Sequence, residues 1–567
     1  MNILGLICFQ GHASSAALIR NGELVAAAIE DRFTRRKQDT AFPANAIRYI
    51  LDSQRLGISE IDEAAFAWDP RASLLHHLGR SALYLKNPWE YAFAERAGHG
   101  GLSRFDKFKR MCRVRRDFER HFQASPRIRY VPHHLAHSFS ACIQVQREPA
   151  LSVVADGIGD RSAVSVFAVD EGRHQKVAET PNPHSFGILY SALTQLLGLR
   201  PDKDEYKVMG LSAYGRPTRT ESFRGLAAVK GARLRLDLGC FSIHRSASRF
   251  HTEKLLAALG AGPGASFQDK ADIAKSLQDC LETNMVALIE QALAGLGRRP
   301  EVLCTRGGVF LNCLLNQRIR EALGFREFHF SPIADDNGAP LGAAACSHHL
   351  RTGSMPRPYR GLDLGPSFSE EEMLAALARH PQARWERCAH PARAAAGLLS
   401  SGKVLAVHNG RTEFGPRALW FRSILADPRD PRMRDILCDR IKRREPFQPF
   451  APSVLEERAD EFFHMEGRRS MPFMIETVRV RREKSSLIPA VVHQDSTARV
   501  QTVSREADPA FHALIAEFDR LTGVPLVLNT SFNRKDEPMA NSPDDALSCF
   551  VGTGIDALLL GPFLVRK

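Results

Sequence analysis

The first thirty residues alternate apolar stretches with short polar breaks. NILGLICF is apolar, GHASS is a turn, AALIR is a short strand, Asn21-Gly22 marks a hairpin, and ELVAAAIE supplies a third strand. An Asn-Gly pair between apolar runs is a strong hairpin signal, because both residues tolerate positive φ. The same layout returns near residue 150. There LSVVAD, the turn GIGDRS, AVSVFAVD, the turn EGR and HQKVAE follow one another. The recurrence predicts a duplicated α/β unit.

Such a duplication points to a two-lobed, actin-like fold that turns Gly/Ser-rich hairpins towards phosphate groups. Between the two meanders, SRFDKFKRMCRVRRDFERHF (103–122) places Phe105, Phe108, Met111, Val114 and Phe118 at helical spacing, with Arg and Lys on the other face. That predicts a surface helix with a solvated basic face ahead of an RNA- or membrane-binding one. RTGSMPRPYRG (351–361) reads as a linker, and SFSEEEMLAALARH then opens a new unit, with Ser367 as cap and Glu370 three positions later. The chain is therefore divided into 1–355 and 356–567.

At 567 residues and 44% hydrophobic content, the chain exceeds one ordinary core. No apolar run is long enough to span a bilayer, and the N-terminal segment lacks a basic leader, so no membrane association is expected. The eleven cysteines form no C-x-x-C pair and several sit in apolar runs. They read as buried thiols of a cytoplasmic protein. The formal charge of +13 suits an anionic partner, whether nucleic acid, membrane surface or phosphorylated small molecule.

Candidate chemistry begins at PHHLAHSFSA (132–141). His133 and His137 are four apart and share a helical face, with Pro132 at the helix start. His134 points elsewhere. Two histidines alone describe a satisfied polar helix face equally well, and the HExxH pattern of zinc peptidases is absent. Asp156, at the end of an apolar strand, and Asp336, before a small-residue helix, add two carboxylates. Two His and two Asp suit a divalent transition metal, iron or zinc more than magnesium. In TRGGVFLNCLLNQRI (305–319), Gly307, Gly308 and Asn312 suit close approach to a phosphate or ribose, or merely a turn. The C-terminal part concentrates Arg417, Arg422, Lys442, Arg444, Arg499, Asn529 and Ser531 beside apolar strands or aromatics. Guanidinium and ammonium groups near hydroxyls and amides suit a triphosphate.

Several blocks resemble the O-carbamoyltransferases of the nodulation-protein and antibiotic-tailoring group. They include GHASSAALIRNGELVAAAIEDRFTRRKQDTAFP, VPHHLAHSFSA, DEYKVMGLSAYGRP, GGVFLN, EFGPRAL, RSILADPR, PFAPSVL, ARVQTV and TGVPLVLNTSFN, in order along nearly the whole chain. The resemblance implies an actin-like transferase domain followed by an α+β, YrdC-like adenylate-forming domain. It implies that ATP, taken with Mg2+, and carbamoyl phosphate give carbamoyl-adenylate and pyrophosphate in the second domain. The first would pass the carbamoyl group to a hydroxyl of a small molecule, such as a secondary metabolite. It further implies Fe2+, or another divalent transition metal, on His133, His137, Asp156 and Asp336. His12 is the candidate base, and Lys207 a candidate for steadying anionic groups.

Three departures stand out against that pattern. RALWFRSIL carries Trp420 and Phe421 where Gly-Asn is usual, FQPFAP carries Gln448 where Arg is usual, and Cys438 replaces a common Asn. A weakened or retuned adenylate site, or a regulatory descendant, follows as an alternative, as does tRNA modification, although nucleic acid is disfavoured. A homodimer is compatible with the sequence. Acceptor contacts are expected in the 70–125 and 220–265 stretches.

Overall fold

The computed structural model describes the chain except residues 11, 80–102, 146–147, 243–245, 247 and 261–263. It divides into two compact units. One comprises Met1–Thr34 and Gln38–Arg360, the other Arg35–Lys37 and Gly361–Lys567.

In the first unit, β1 (Asn2–Ile7), β2 (Ser15–Arg20) and β3 (Glu23–Ile29) form the antiparallel meander, and β4 (Glu63–Phe66) and β5 (Ile128–Tyr130) extend it in parallel, giving the order β3-β2-β1-β4-β5. Asn21 and Gly22 close the β2–β3 hairpin at φ 51° and 81°. The second meander is β6 (Ala150–Ala155), β7 (Ser162–Asp170) and β8 (Arg173–Pro181). After a small pair, β9 (Ala227–Val229) with β10 (Leu234–Leu236), it is extended by β11 (Val302–Arg306) and β12 (Glu327–Phe330). Its order is β12-β11-β6-β7-β8, with β6, β11 and β12 parallel. Both sheets thus share one topology, third-second-first-fourth-fifth, as a duplication requires. Their central strands are buried on both faces, which is why they read as continuous apolar runs.

The helix Ala339–Thr352 packs against β1, β2 and the helix His133–Cys142. Small residues make this possible. A Cβ on Gly342 would lie 1.7 Å from the Ala136 carbonyl oxygen, and one on Gly5 would lie 1.8 Å from that of Pro340.

The basic stretch is not one helix. It breaks into Arg104–Met111 and Val114–Phe122, capped by Ser103, whose hydroxyl accepts from the Asp106 amide. Met111, Val114 and Phe118 are buried as the spacing predicts, whereas Phe105 is exposed.

The second unit is built on an eight-stranded sheet. Its strands are β13 (Arg384–Arg387), β14 (Leu405–His408), β15 (Arg422–Ala426), β16 (Ala451–Leu455), β19 (Gln501–Val503), β20 (Leu526–Ser531), β21 (Ala557–Leu560) and β22 (Phe563–Arg566). β17 (Val478–Arg479) and β18 (Thr497–Ala498) pair separately. The order is β13-β22-β21-β14-β15-β20-β16-β19, antiparallel except for β14–β21 and β16–β19. The helix Glu370–Arg379 is capped two residues later than the sequence suggests. Ser369 and Glu372, not Ser367 and Glu370, form the reciprocal capping box. Among the described residues no helix is long and apolar enough to cross a membrane.

Candidate functional site

Four side chains from one helix and two connecting segments meet inside the first unit. His133 and His137 lie one turn apart on the helix His133–Cys142, Asp156 follows β6, and Asp336 precedes the helix Ala339–Thr352. Each offers one ligand atom, and all four atoms lie within 4.8 Å of one another. His133 Nε2 is 3.1 Å from His137 Nε2, 3.7 Å from Asp156 Oδ2 and 3.2 Å from Asp336 Oδ1. His137 Nε2 is 3.3 Å from each of the two carboxylate oxygens. An ion bound at about 2.1 Å separates neighbouring ligands by roughly 3.0 Å in an octahedral shell and 3.4 Å in a tetrahedral one. Four of these five separations, 3.1–3.3 Å, fall in that range, and the His133–Asp156 one, at 3.7 Å, lies just beyond it. Asp156 Oδ2 is buried and accepts no hydrogen bond from the described residues, as expected of an atom reserved for a cation. The residues therefore fit a divalent transition metal.

The surroundings orient the ligands. His133 Nδ1 is 3.0 Å from the Ala67 carbonyl, which fixes the tautomer that leaves Nε2 to face the cluster. The Asp160 carboxylate accepts from the His133 amide at 2.9 Å and so caps the helix N-terminus. Gly308 donates its amide to Asp156 Oδ1. This is possible because Gly307 turns the chain at φ 100°, and a Cβ there would stand 2.2 Å from the Ala155 carbonyl oxygen. Gly307 and Gly308 thus steer a carboxylate, a task different from phosphate contact. Asn312 caps the helix Cys313–Ala322 and pairs with Gln278. His134 binds Ser165 Oγ through Nδ1 at 2.9 Å, and its Nε2 stays 3.9 Å from Asp156.

Electrostatics follow from this crowding. Burial opposes charge on His133, but Asp336 and then Asp156 outweigh it and raise the imidazole to about 9. Burial lowers His137. Burial would raise Asp336, yet His133 and His137 hold it well below its ordinary value. Without a cation the cluster therefore keeps a proton on His133.

His12 faces the same acidic group. Burial works against its charge, and Asp336, Asp335, Asp202 and Asp156 together raise it. Lys207 is buried and ion-paired with Asp204 at 3.2 Å, a partner that the sequence did not reveal. Arg306 was also not legible as part of this region. It is fully buried at the end of β11, donates to Ser331 Oγ at 2.6 Å, and fills space that Gly338 leaves by lacking a side chain. Of the stretches expected to hold acceptor contacts, 80–102, 243–245, 247 and 261–263 lie outside the described residues.

In the second unit the structure brings Lys442 and Ser531 together. The buried ammonium donates to the Ser531 carbonyl and hydroxyl, the latter at 3.1 Å, and to the Asn533 carbonyl at 3.2 Å and side-chain oxygen at 2.8 Å. Burial, then the Arg444 charge, lowers Lys442 to about 7. Arg444 lies over the Phe450 ring at 4.1 Å. Arg417 and Arg499 are partly exposed. Asn529 donates to Ser453 Oγ and Gln501 Oε1, both at 3.0 Å. Arg422 has a different task from the expected one. It is fully buried, and its guanidinium donates to the carbonyls of Asn409 at 2.6 Å, Phe421 at 2.8 Å and Asn541 at 3.2 Å. It welds loops together and presents no face to a ligand.

Each of the three departures has a structural setting. Trp420 adopts φ 149°, a backbone that favours glycine, and its indole stacks on Phe511 at 4.6 Å. Gln448 is buried and donates to Glu445 at 2.5 Å. Cys438 is a buried free thiol, raised by burial.

The model of the carbamoyltransferase N-terminus matches residues 2–346, and that of the carbamoyltransferase C-terminus matches 396–567. Nodulation protein NolNO of Sinorhizobium fredii is 36% identical over 572 residues, covering 98% of this chain and 79% of that protein. An uncharacterized protein of Synechocystis sp. is 32% identical over 630 residues, covering 100% and 97%. Nodulation protein NolO of Bradyrhizobium diazoefficiens is 38% identical over 444 residues, covering 77% and 78%. Models matched in both halves, with relatives aligned along the length, show that the chain belongs to the carbamoyltransferase family and is a carbamoyltransferase enzyme.

Proposed function

We propose that this carbamoyltransferase runs two half-reactions, one in each unit. The Gly361–Lys567 unit, YrdC-like in this reading, makes carbamoyl-adenylate from ATP and carbamoyl phosphate: water releases carbamate and orthophosphate from carbamoyl phosphate, and the carbamate oxygen attacks the ATP α-phosphate and expels pyrophosphate. The first unit, actin-like in this reading, transfers the carbamoyl group to a hydroxyl of a small molecule. The observation that carries the proposal is the His133–His137–Asp156–Asp336 cluster, a buried ligand set in the transferase unit. The repeated sheet topology supports the actin-like reading.

A divalent ion held by these four residues, Fe2+ or another transition metal, would supply Lewis acidity towards the adenylate phosphate. The protein's own groups do the rest. His133 and His137 present Nε2, and Asp156 and Asp336 supply the anionic charge. His12, which feels the same carboxylates, would take the acceptor's hydroxyl proton. A base must be neutral to act, and cancelling the carboxylate charge lowers His12 back towards its ordinary range. Lys442, Arg444, Arg417 and Arg499 would hold the anionic oxygens in the second unit, and Mg2+ would accompany ATP. With a value of about 7, Lys442 is only partly charged near neutral pH, and an arriving anion would complete its protonation.

The test is incubation with ATP, carbamoyl phosphate and candidate alcohols, read by pyrophosphate release and by mass gain of one carbamoyl group. Pyrophosphate released from ATP without carbamoyl phosphate, or carbamoyl transfer that needs tRNA, would overturn it.

A further inference from the structure

The candidate anion site of the second unit includes Arg417, which lies within the loop 413–422, EFGPRALWFR. Four features fix that loop. Glu413 is buried, and one of its oxygens, Oε1, accepts the amides of both Leu419 at 3.0 Å and Arg422 at 3.1 Å. Gln501 donates to the Leu419 carbonyl at 2.7 Å. Asn529 reaches the Ala418 carbonyl at 3.4 Å and ties back to Gln501 and Ser453. Arg422 turns inward onto carbonyls. The peptide groups on both sides of Leu419 are thus gripped, one by a carboxylate and the other by an amide.

Glu413 is itself anchored. Thr412 donates its amide to Pro366 at 2.9 Å and accepts from Gly365 at 2.9 Å, while Phe414 donates to Leu362 at 2.7 Å. The grip holds a chain that bends unusually, with Gly415 at φ 145° and Trp420 at φ 149°. Once Arg422 is turned inward, Arg417 is the cation that the loop carries at the partly exposed position.

We propose that Glu413 is a positioning residue for phosphate recognition, acting through the loop to set the Arg417 guanidinium. This rests on the adenylate-forming reading of the second unit. A guanidinium binds phosphate oxygens through a rigid fork, so small displacements of its loop cost affinity. A carboxylate that accepts two amides on one oxygen is stronger and stiffer than a neutral acceptor. Glutamine keeps an acceptor but places an NH2 where Glu413 Oε2 is buried without a hydrogen-bond partner among the described residues. Glu413→Gln should therefore weaken the grip without emptying it.

The experiment is a double-mutant cycle on the full chain, read by calorimetric ATP binding. Glu413→Gln should raise the Kd for ATP about tenfold, and Arg417→Ala by that much or more. In the Arg417→Ala background Glu413→Gln should then cost less than threefold, because residues acting through one contact are not additive. Gln501→Leu, on the other grip, should repeat this pattern. Equal losses in both backgrounds, or an unchanged Kd in Glu413→Gln and Gln501→Leu, would overturn the proposal. If Glu413→Gln fails to fold, Gln501→Leu carries the cycle alone. Wild-type protein that binds ATP yet releases no pyrophosphate with carbamoyl phosphate sinks the adenylate reading and leaves the cycle readable. Wild-type protein that binds no ATP sinks both.

Discussion

Replacing Asp156 by Asn is the sharpest test of the metal cluster. Oδ1 keeps its role, because an amide oxygen can still accept the Gly308 amide. At the other branch a carboxylate oxygen 3.3 Å from His137 Nε2 and 3.7 Å from His133 Nε2 becomes an NH2 that donates towards any cation. Size and packing are conserved while the charge and the lone pair are lost. Losing only an outer partner of a ligand costs about 10–100-fold in affinity, so a ligand itself should cost at least 100-fold, or about 2.7 kcal/mol. Saturation at a hundred times Kd stabilises the folded unit by about the same amount. The first unit has roughly 360 residues. At about 2.1 cal/mol/K of unfolding entropy per residue, that free energy raises Tm by about 3–4 °C. Wild-type protein should therefore bind one equivalent of divalent transition metal and lose about 3–4 °C on chelation. Asp156→Asn should bind far less metal, with a Tm insensitive to chelator. Elemental analysis and thermal denaturation read both outcomes. Full metal occupancy in Asp156→Asn, with an intact chelator response, would refute the assignment.

Other expectations follow from the same geometry. The metal must displace the proton that Asp336 and Asp156 keep on His133, raised to about 9; apparent metal affinity should climb about tenfold per pH unit from 7 towards 9 and then level off, with buffer-dependent heats reporting proton release. Lys442 lies well below its ordinary value, at about 7, because it is buried; an anion that favours the ammonium should bind with proton uptake above that pH, and its affinity should fall as pH rises, as measured by titration in buffers of different ionisation enthalpy. Gly307→Ala forces a Cβ to within 2.2 Å of the Ala155 carbonyl oxygen at φ 100°; it should destabilise the first unit by about 2–5 kcal/mol in denaturant titration and lower metal occupancy. Trp420→Gly removes the stack on Phe511 but also the strain of φ 149°; the net loss should be about 1–3 kcal/mol, below the 3–5 kcal/mol typical of truncating a buried aromatic.

The sequence by itself determined the local and repeating features of this protein. Alternating apolar runs and an Asn-Gly turn specify a meander, and its recurrence specifies the second sheet, because strand pairing between neighbours in sequence follows from pattern and turn chemistry. The i, i+4 spacing of His133 and His137 was equally legible, since a helix fixes it. The tertiary structure alone brought Asp156 and Asp336, 23 and 203 residues beyond His133 by number, to within reach of both imidazoles. It also recast residue roles that composition cannot assign. Arg422, read as a phosphate ligand, is a buried carbonyl donor, and Asn312 is a helix cap. Glu413, one carboxylate among the arginines of the 409–425 stretch, grips the loop that carries Arg417. The physical reason is that a side chain's task depends on which backbone groups and charges surround it once the chain is compact. Those neighbours come mostly from distant segments, whose approach is set by backbone geometry and by small residues such as Gly5, Gly307 and Gly342.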